Sequence, residues 1–255
     1  MLAPDLLLPQ LLSIADRAGA VLLEHYASGE LVVATKADRS PVTAADDAAE
    51  QVILAALREL TPDVPVVAEE AVARSGAPER AERRFWLVDP LDGTREFISR
   101  NGEFTVNIGL VEDGQPVLGV VTAPAKGLAW WGAVGQGAWR READGDVAEI
   151  RVRQRPQAGT VAVASRSHRD AETDRYLAEQ GIEQTVSAGS SLKFCLVAEG
   201  KADVYPRLGP TMEWDTAAGH AVLRAAGGGV RAISGEPLAY GKPGFRNPGF
   251  VGEGG

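Results

Sequence analysis

The stretch Phe85-Trp86-Leu87-Val88-Asp89-Pro90-Leu91-Asp92-Gly93-Thr94-Arg95-Glu96-Phe97 constrains this chain more than any other. Phe85 to Val88 is a short apolar run and reads as a buried strand. Pro90 cannot donate to a sheet ladder, so the strand is expected to end at Asp89-Pro90. Asp92-Gly93-Thr94 then reads as a turn leading into a short helix over 95–98. Two carboxylates thus stand three residues apart at a strand mouth, beside the outward amides of Gly93 and Thr94. Magnesium takes hard oxygen ligands such as Asp89 and Asp92 and keeps positions open for water and phosphate oxygens. Amides at a helix start favour an anion. A cation site touching an anion site is what phosphate-ester chemistry needs. The competing reading is a β-turn with solvated aspartates; the apolar strand in front of the turn favours the metal reading.

The rest of the chain is compatible with such a site. A 45% hydrophobic and 24% charged composition is that of an ordinary globular protein. No apolar run is expected to span a membrane, and residues 1–10 lack the basic start of a signal peptide. The single cysteine, Cys195, excludes an intramolecular disulfide and reads as a small core residue. A cytoplasmic location is expected. The net charge of −9 speaks against a nucleic-acid polymer as partner, but not against a small phosphorylated ligand, because bound cations invert the field of an acidic site.

Along the chain, 6–26 reads as a long helix with Pro9 in or near its first turn. Lys36 lies in a polar loop and faces either a phosphate or solvent. A second helix is expected from Thr43 to Leu60, where Thr43-x-x-Asp46 matches a capping box. Val64 to Ala68 reads as a strand ending in Glu69-Glu70, and 71–84 as a loop or frayed helix. Residues 104–112, 115–122 and 127–134 read as an antiparallel meander. Gly132-x-x-Gly135-x-Gly137 has the wrong spacing for a dinucleotide fingerprint and reads as a hairpin. Composition turns polar over 141–146, so one domain, 1–255, is expected with sub-domains 1–140 (α+β) and 147–255 (α/β). The second half alternates strands near 160–164, 183–187 and 202–205 with helices over 171–180, 192–199 and 214–226, the pattern of an α/β layer. Gly227-Gly228-Gly229 reads as a helix stop, and 241–255 as irregular.

The central string resembles the signature of the lithium-sensitive, magnesium-dependent phosphatases of the inositol monophosphatase family. Ser40-Pro41-Val42-Thr43-Ala44-Ala45-Asp46, Val67-Ala68-Glu69-Glu70, Gly189-Ser190-Ser191-Leu192-Lys193-Phe194-Cys195 and Trp214-Asp215-Thr216-Ala217-Ala218-Gly219-His220 resemble further family blocks, in family order. Their wording is most similar to the CysQ branch, the 3'(2'),5'-bisphosphate nucleotidases. The resemblance implies an α+β fold, a layered αβαβα sandwich. It implies that Glu69, Asp89, Asp92, Asp215 and the Leu91 carbonyl hold two or three magnesium ions. It also implies that Asp46 pairs with Thr94 to polarise the attacking water with help from Glu69.

Read from the residues alone, Asp46 is a cap, Glu69-Glu70 a charged loop and Asp215 a complement to a helix dipole; the resemblance adds the site roles. Glu69, Leu91, Asp92, Gly93, Thr94 and Asp215 are then expected around the scissile phosphate. His168, Ser191, Lys193 and Arg207 match nucleotide-contacting segments, and Arg207 stands where inositol-specific relatives carry an acid. An arginine fork there suits a second phosphate. The implied reaction is removal of the 3'-phosphate of adenosine 3',5'-bisphosphate. An inositol or fructose phosphate phosphatase and a nucleotide sensor without turnover are the alternatives.

Overall fold

The computed structural model describes residues 4–28, 33–35, 41–165 and 170–255. In chain order the elements are α1 (Pro4–Ser28), β1 (Val33–Thr35), β2 (Pro41–Thr43), α2 (Ala44–Leu60), β3 (Val66–Ala68), α3 (Glu69–Ser75), β4 (Arg84–Asp92), α4 (Thr94–Ile98), β5 (Thr105–Glu112), β6 (Gln115–Ala123), β7 (Leu128–Ala133), β8 (Gly137–Arg141) and β9 (Val147–Ile150). They continue with β10 (Val161–Ser165), α5 (Ala171–Glu179), β11 (Gln184–Ala188), α6 (Leu192–Ala198), β12 (Val204–Arg207), β13 (Thr211–Met212), α7 (Ala217–Ala225), β14 (Gly229–Ala232), β15 (Arg246–Asn247) and β16 (Phe250–Glu253).

Five layers stack. α1 and α2 cover the outer face of a seven-stranded sheet, β3-β4-β5-β6-β7-β8-β9, in which only β3 and β4 run parallel. α6 and α7 fill the middle. A mixed five-stranded sheet, β11-β10-β12-β16-β14, follows, and α5 closes its far side with Leu177 packed near Ala162 and Val204. This is the expected α+β sandwich. The sheet between the helix pairs is buried on both faces, which explains the period-two code of β5. Val106, Ile108 and Leu110 join the core under α1 and α2; Thr105, Asn107 and Gly109 face the other way.

That second face carries a row of glycines. Gly109, Gly119 and Gly132 are lateral neighbours on β5, β6 and β7. α7 lies on the row so closely that a Cβ at Gly119 would stand 2.3 Å from the Ala218 carbonyl oxygen, and one at Gly132 2.7 Å from the Ala225 methyl. Backbone meets backbone there, and no larger residue fits.

Several expectations are corrected. β4 does not stop at Pro90 but runs to Asp92, because a register shift between Asp89 and Asp92 removes the need for a proline donor. Pro9 lies in the second turn of α1. Residues 69–75 form a helix. The polar stretch 141–146 is the turn of the β8–β9 hairpin, so the chain leaves the first sheet only after Ile150. α7 begins at Ala217, leaving Asp215 before it in an irregular turn. The glycine-rich 241–255 segment is not irregular throughout. It holds β15 and β16, and β16 sits between β12 and β14, with Phe250 fully buried. By length and apolarity alone, residues Leu6–Ser28 of α1 also qualify as a membrane-spanning helix, against expectation; here Leu7, Leu11, Ala15, Ala18 and Leu22 are wholly buried against the rest of the fold. Cys195 is buried in the core as expected, and burial pushes its thiol up.

Candidate active site

A cavity of about 620 Å³ opens where the ends of both sheets meet. Glu69, Asp89, Leu91, Asp92, Gly93, Thr94, Lys193, Arg207 and Asp215 all line it. Four segments supply the acids, Leu91 and the Gly93–Thr94 turn, and α6 and β12 add Lys193 and Arg207. Glu69 opens α3 directly after β3. Glu50 of α2 caps that helix, its Oε2 accepting from the Glu70 amide at 2.8 Å. Asp89, Leu91 and Asp92 come from the irregular end of β4, where Asp89 Oδ1 accepts from the Leu91 amide at 3.0 Å. Gly93 takes a left-handed φ of 88° and turns the chain into α4, which Thr94 begins. Asp215 precedes α7 and accepts from the Met212 amide at 2.8 Å.

The carboxylates are crowded and largely out of water. Burial, then the charges of Glu69, Asp92 and Asp215, push Asp89 well above the ordinary carboxylate range; Glu69 also shares a hydrogen bond with it. Burial, then Asp92 and Glu69, do the same to Asp215. Asp92 is raised by burial, with Lys193 and the Asn107 amide opposing. Among the described residues no three acid, histidine or cysteine side chains are gathered tightly enough to hold an ion as they stand. The donor set nevertheless fits a hard divalent cation. Four carboxylates line one cavity, Asp89 and Asp215 raised in part by their neighbours' charge, and a cation would offset that repulsion.

Asp46 is 1% exposed and serves two partners. Its Oδ2 accepts from the Thr43 amide and hydroxyl, both at 2.8 Å, completing the capping box of α2. Its Oδ1 faces the Thr94 hydroxyl at 3.5 Å, the outer limit of such a bond. The cap and the link to Thr94 therefore coexist on separate oxygens.

Lys193 and Arg207 line the same cavity, Lys193 beside Asp92. Lys193 is buried over the Tyr205 ring and donates to the Ser190 carbonyl. Burial lowers its ammonium to about 8, with Asp92 pulling the other way. Arg207 Nη2 donates to the Pro210 carbonyl at 3.1 Å, while its Nε is buried without a hydrogen-bond partner. Ser191 Oγ donates to the Asp215 carbonyl at 2.9 Å and accepts from Asn107 at 3.0 Å, and the residue is 2% exposed. Its neighbour Ser190 lines the cavity. His168 and Lys36 lie outside the described residues.

Two contributors escaped the sequence reading. Asn107 ties Asp92 Oδ2 (3.3 Å) to Ser191; a polar residue in an apolar strand buried on both faces was its signal. Ser190 adopts a φ of 49° and places its Oγ 2.9 Å from the Asp92 carbonyl and 2.6 Å from that of Glu103. A non-glycine residue held in this conformation marks a locally enforced backbone.

Comparison with known proteins agrees with this architecture. The model of the inositol monophosphatase family matches residues 5–249. A 3'(2'),5'-bisphosphate nucleotidase CysQ from Escherichia coli K12 is 52% identical over 247 residues, covering 96% of this chain and 98% of that protein. One of the same description from Buchnera aphidicola is 41% identical, covering 96% and 92%. Among solved structures, CysQ from Bacteroides thetaiotaomicron superposes with a TM-score of 0.79 at 42% identity, covering 94% of each chain. An inositol monophosphatase of Thermotoga maritima gives the same TM-score at 25% identity, covering 96% of this chain and 91% of its own.

Proposed function

This chain belongs to the inositol monophosphatase family, and from that premise we propose that it is a 3'(2'),5'-bisphosphate nucleotidase. The reaction is hydrolysis of the 3'-phosphate of adenosine 3',5'-bisphosphate to AMP and phosphate. Phosphatases of this family are generally metal-dependent; the proposal specifies two or three magnesium ions held by Glu69, Asp89, Asp92, Asp215 and the Leu91 carbonyl. The observation that carries the substrate is Arg207, which lines the same cavity as the four acids and Lys193 and whose Nε is a buried donor still lacking an acceptor. A monophosphate is served by the acids and the Gly93–Thr94 turn; a second phosphate would supply the acceptor for Arg207. The full-length similarity to proteins named as nucleotidases supports the same choice.

When bound, magnesium neutralises phosphate oxygens and makes water a better nucleophile. The chain's own groups do the positioning. Thr94 donates its hydroxyl hydrogen bond to Asp46 Oδ1, which leaves its lone pairs to accept from the attacking water. Thr43 pins the other Asp46 oxygen. Glu69 helps orient the water, and the Gly93 and Thr94 amides hold phosphate oxygens through the in-line displacement. No covalent enzyme intermediate is needed. Lys193 and Arg207 fix the second phosphate. Inhibition by lithium, a cytoplasmic location and a role in sulfur assimilation and nucleotide recycling extend the proposal from the resemblance.

The test is phosphate release with magnesium from adenosine 3',5'-bisphosphate and from inositol 1-phosphate, in the native protein and in Asp92→Asn. Strong preference for the nucleotide, reduced at least about a hundredfold in the variant, is expected. Preference for inositol phosphate would keep the role of the acids and overturn the roles given to Lys193 and Arg207.

A further inference from the structure

The turn bearing Asp215 is enclosed by a dense buried polar network that the mechanism does not use. β13 pairs with β15, and Glu213 N–H donates to the Phe245 carbonyl at 2.8 Å. Asn247, 9% exposed, sits at the centre. Its Nδ2 donates to the Met212 carbonyl at 2.9 Å and lies 3.0 Å from Thr216 Oγ1 and 3.2 Å from Thr211 Oγ1. Its Oδ1 accepts from Lys242 Nζ at 3.2 Å. Lys242 Nζ also meets the fully buried Glu213 carboxylate at 2.7 Å, which takes the Gly241 and Lys242 amides as well. Tyr240 adds its hydroxyl to Thr216 at 3.1 Å. Met212 joins this network to the site, because its carbonyl is held by Asn247 and its amide by Asp215.

From this we infer that residues 240–247 form a strap whose Asn247 is a positioning residue for Asp215, setting the affinity of the cation held from the second half of the chain. The inference rests on the metal reading above. The physical basis is an asymmetry of support. Glu69, Asp89 and Asp92 are carried by the seven-stranded sheet and the helix capped by Glu50. Asp215 belongs to no regular element. Its turn spans the gap between a two-residue strand and α7, where Ser191 holds its carbonyl and the Met212 amide, braced by the strap, holds its carboxylate. A buried amide offering donors to one peptide carbonyl and two hydroxyls, while its oxygen is taken by Lys242, has only one orientation that satisfies it. Outer partners of this kind orient a ligand without touching the ion.

The test uses Asn247→Ala and Asn247→Asp in the whole chain, with Asp215→Asn for comparison. The aspartate keeps the shape and the Lys242 contact but turns its contact with the Met212 carbonyl repulsive, so it serves where the alanine variant fails to fold. Two readouts do not depend on turnover. Manganese binding is followed by electron paramagnetic resonance without substrate, and amide exchange is measured at Met212 and Glu213. We expect one class of manganese site to weaken about tenfold or more in the Asn247 variants, the same class lost in Asp215→Asn. Exchange at the two amides should quicken, and the magnesium concentration needed for half-maximal turnover should rise while thermal stability of the first sheet holds. Folded Asn247 variants with native manganese binding and magnesium requirement, beside an Asp215→Asn that loses a site, would overturn the strap alone. A native protein that binds no manganese would instead overturn the metal reading and the strap with it.

Discussion

Gly93 holds a φ of 88°, and a Cβ built there would lie 2.1 Å from Ser190 Oγ. Gly93→Ala would therefore strain the turn and push the Ser190 brace away from the Asp92 carbonyl. A loss of about 1–3 kcal/mol in stability is expected, with turnover falling about a hundredfold as the Thr94 amide shifts. Thermal unfolding and magnesium-dependent phosphate release check both numbers. Thr94→Val keeps the volume and removes the hydroxyl; it should lower kcat by roughly 10²- to 10⁴-fold with little change in KM. At this scale the sequence was informative where a motif dictated geometry. Thr43-x-x-Asp46 announced its capping box, and the box is there. That Asp46 also reaches Thr94 depends on a contact 48 residues away, which no local pattern encodes. The brace that Ser190 forms was likewise illegible, since it turns on one residue's positive φ.

The elements that hold the site apart or together are set by what they pack against. α7 rests on Gly109, Gly119 and Gly132, and Asp215 enters the cavity from just before that helix. Gly119→Ala would drive a methyl into the Ala218 carbonyl and lift the helix. It should cost about 1–3 kcal/mol and weaken magnesium activation, measurable by denaturant unfolding and by the magnesium dependence of turnover. Periodicity was enough to place α1, α2, α5 and the β5–β6–β7 meander. It failed at β4 beyond Pro90, where a bulge spares proline its missing donor. It failed again at β16, which packs beside Leu223 and Phe194 although its segment is rich in glycine. Composition reads such a segment as loop because the apolar cover comes from helices elsewhere in the chain.

For the molecule as a whole, the crowded acids tie stability to pH and to cations. Asp89 and Asp215 are raised from an ordinary value of 3.8, so the folded state holds their protons more tightly than the unfolded chain. Their contribution is fully present below about pH 4 and is lost as pH rises through the raised folded values. Without metal, these two groups should thus make the protein less stable near neutrality than at pH 5, and magnesium should reverse the trend most at the upper end. At a hundredfold excess over Kd one bound ion adds about 2.7 kcal/mol, several degrees in Tm for a chain of this size. Thermal unfolding in chelator and in magnesium, at pH 5 and 7.5, checks it; a gap independent of pH would count against these carboxylates as ligands. The layered architecture was legible because its blocks are long and ordered, whereas the supports of the cavity, Asn107, Ser190 and Asn247, act through bonds to residues far away in the chain. The position of β16 also has a consequence for how the protein comes into being. The seven strands of the first sheet are all made by Ile150, and that sheet can assemble while synthesis continues. The second sheet cannot. β12 and β14 both wait for a partner that is translated after every other described strand, so the two halves of that sheet are joined only when residues 250–253 exist. A nascent chain of this protein carries three of its four acids on a finished platform well before it can use them.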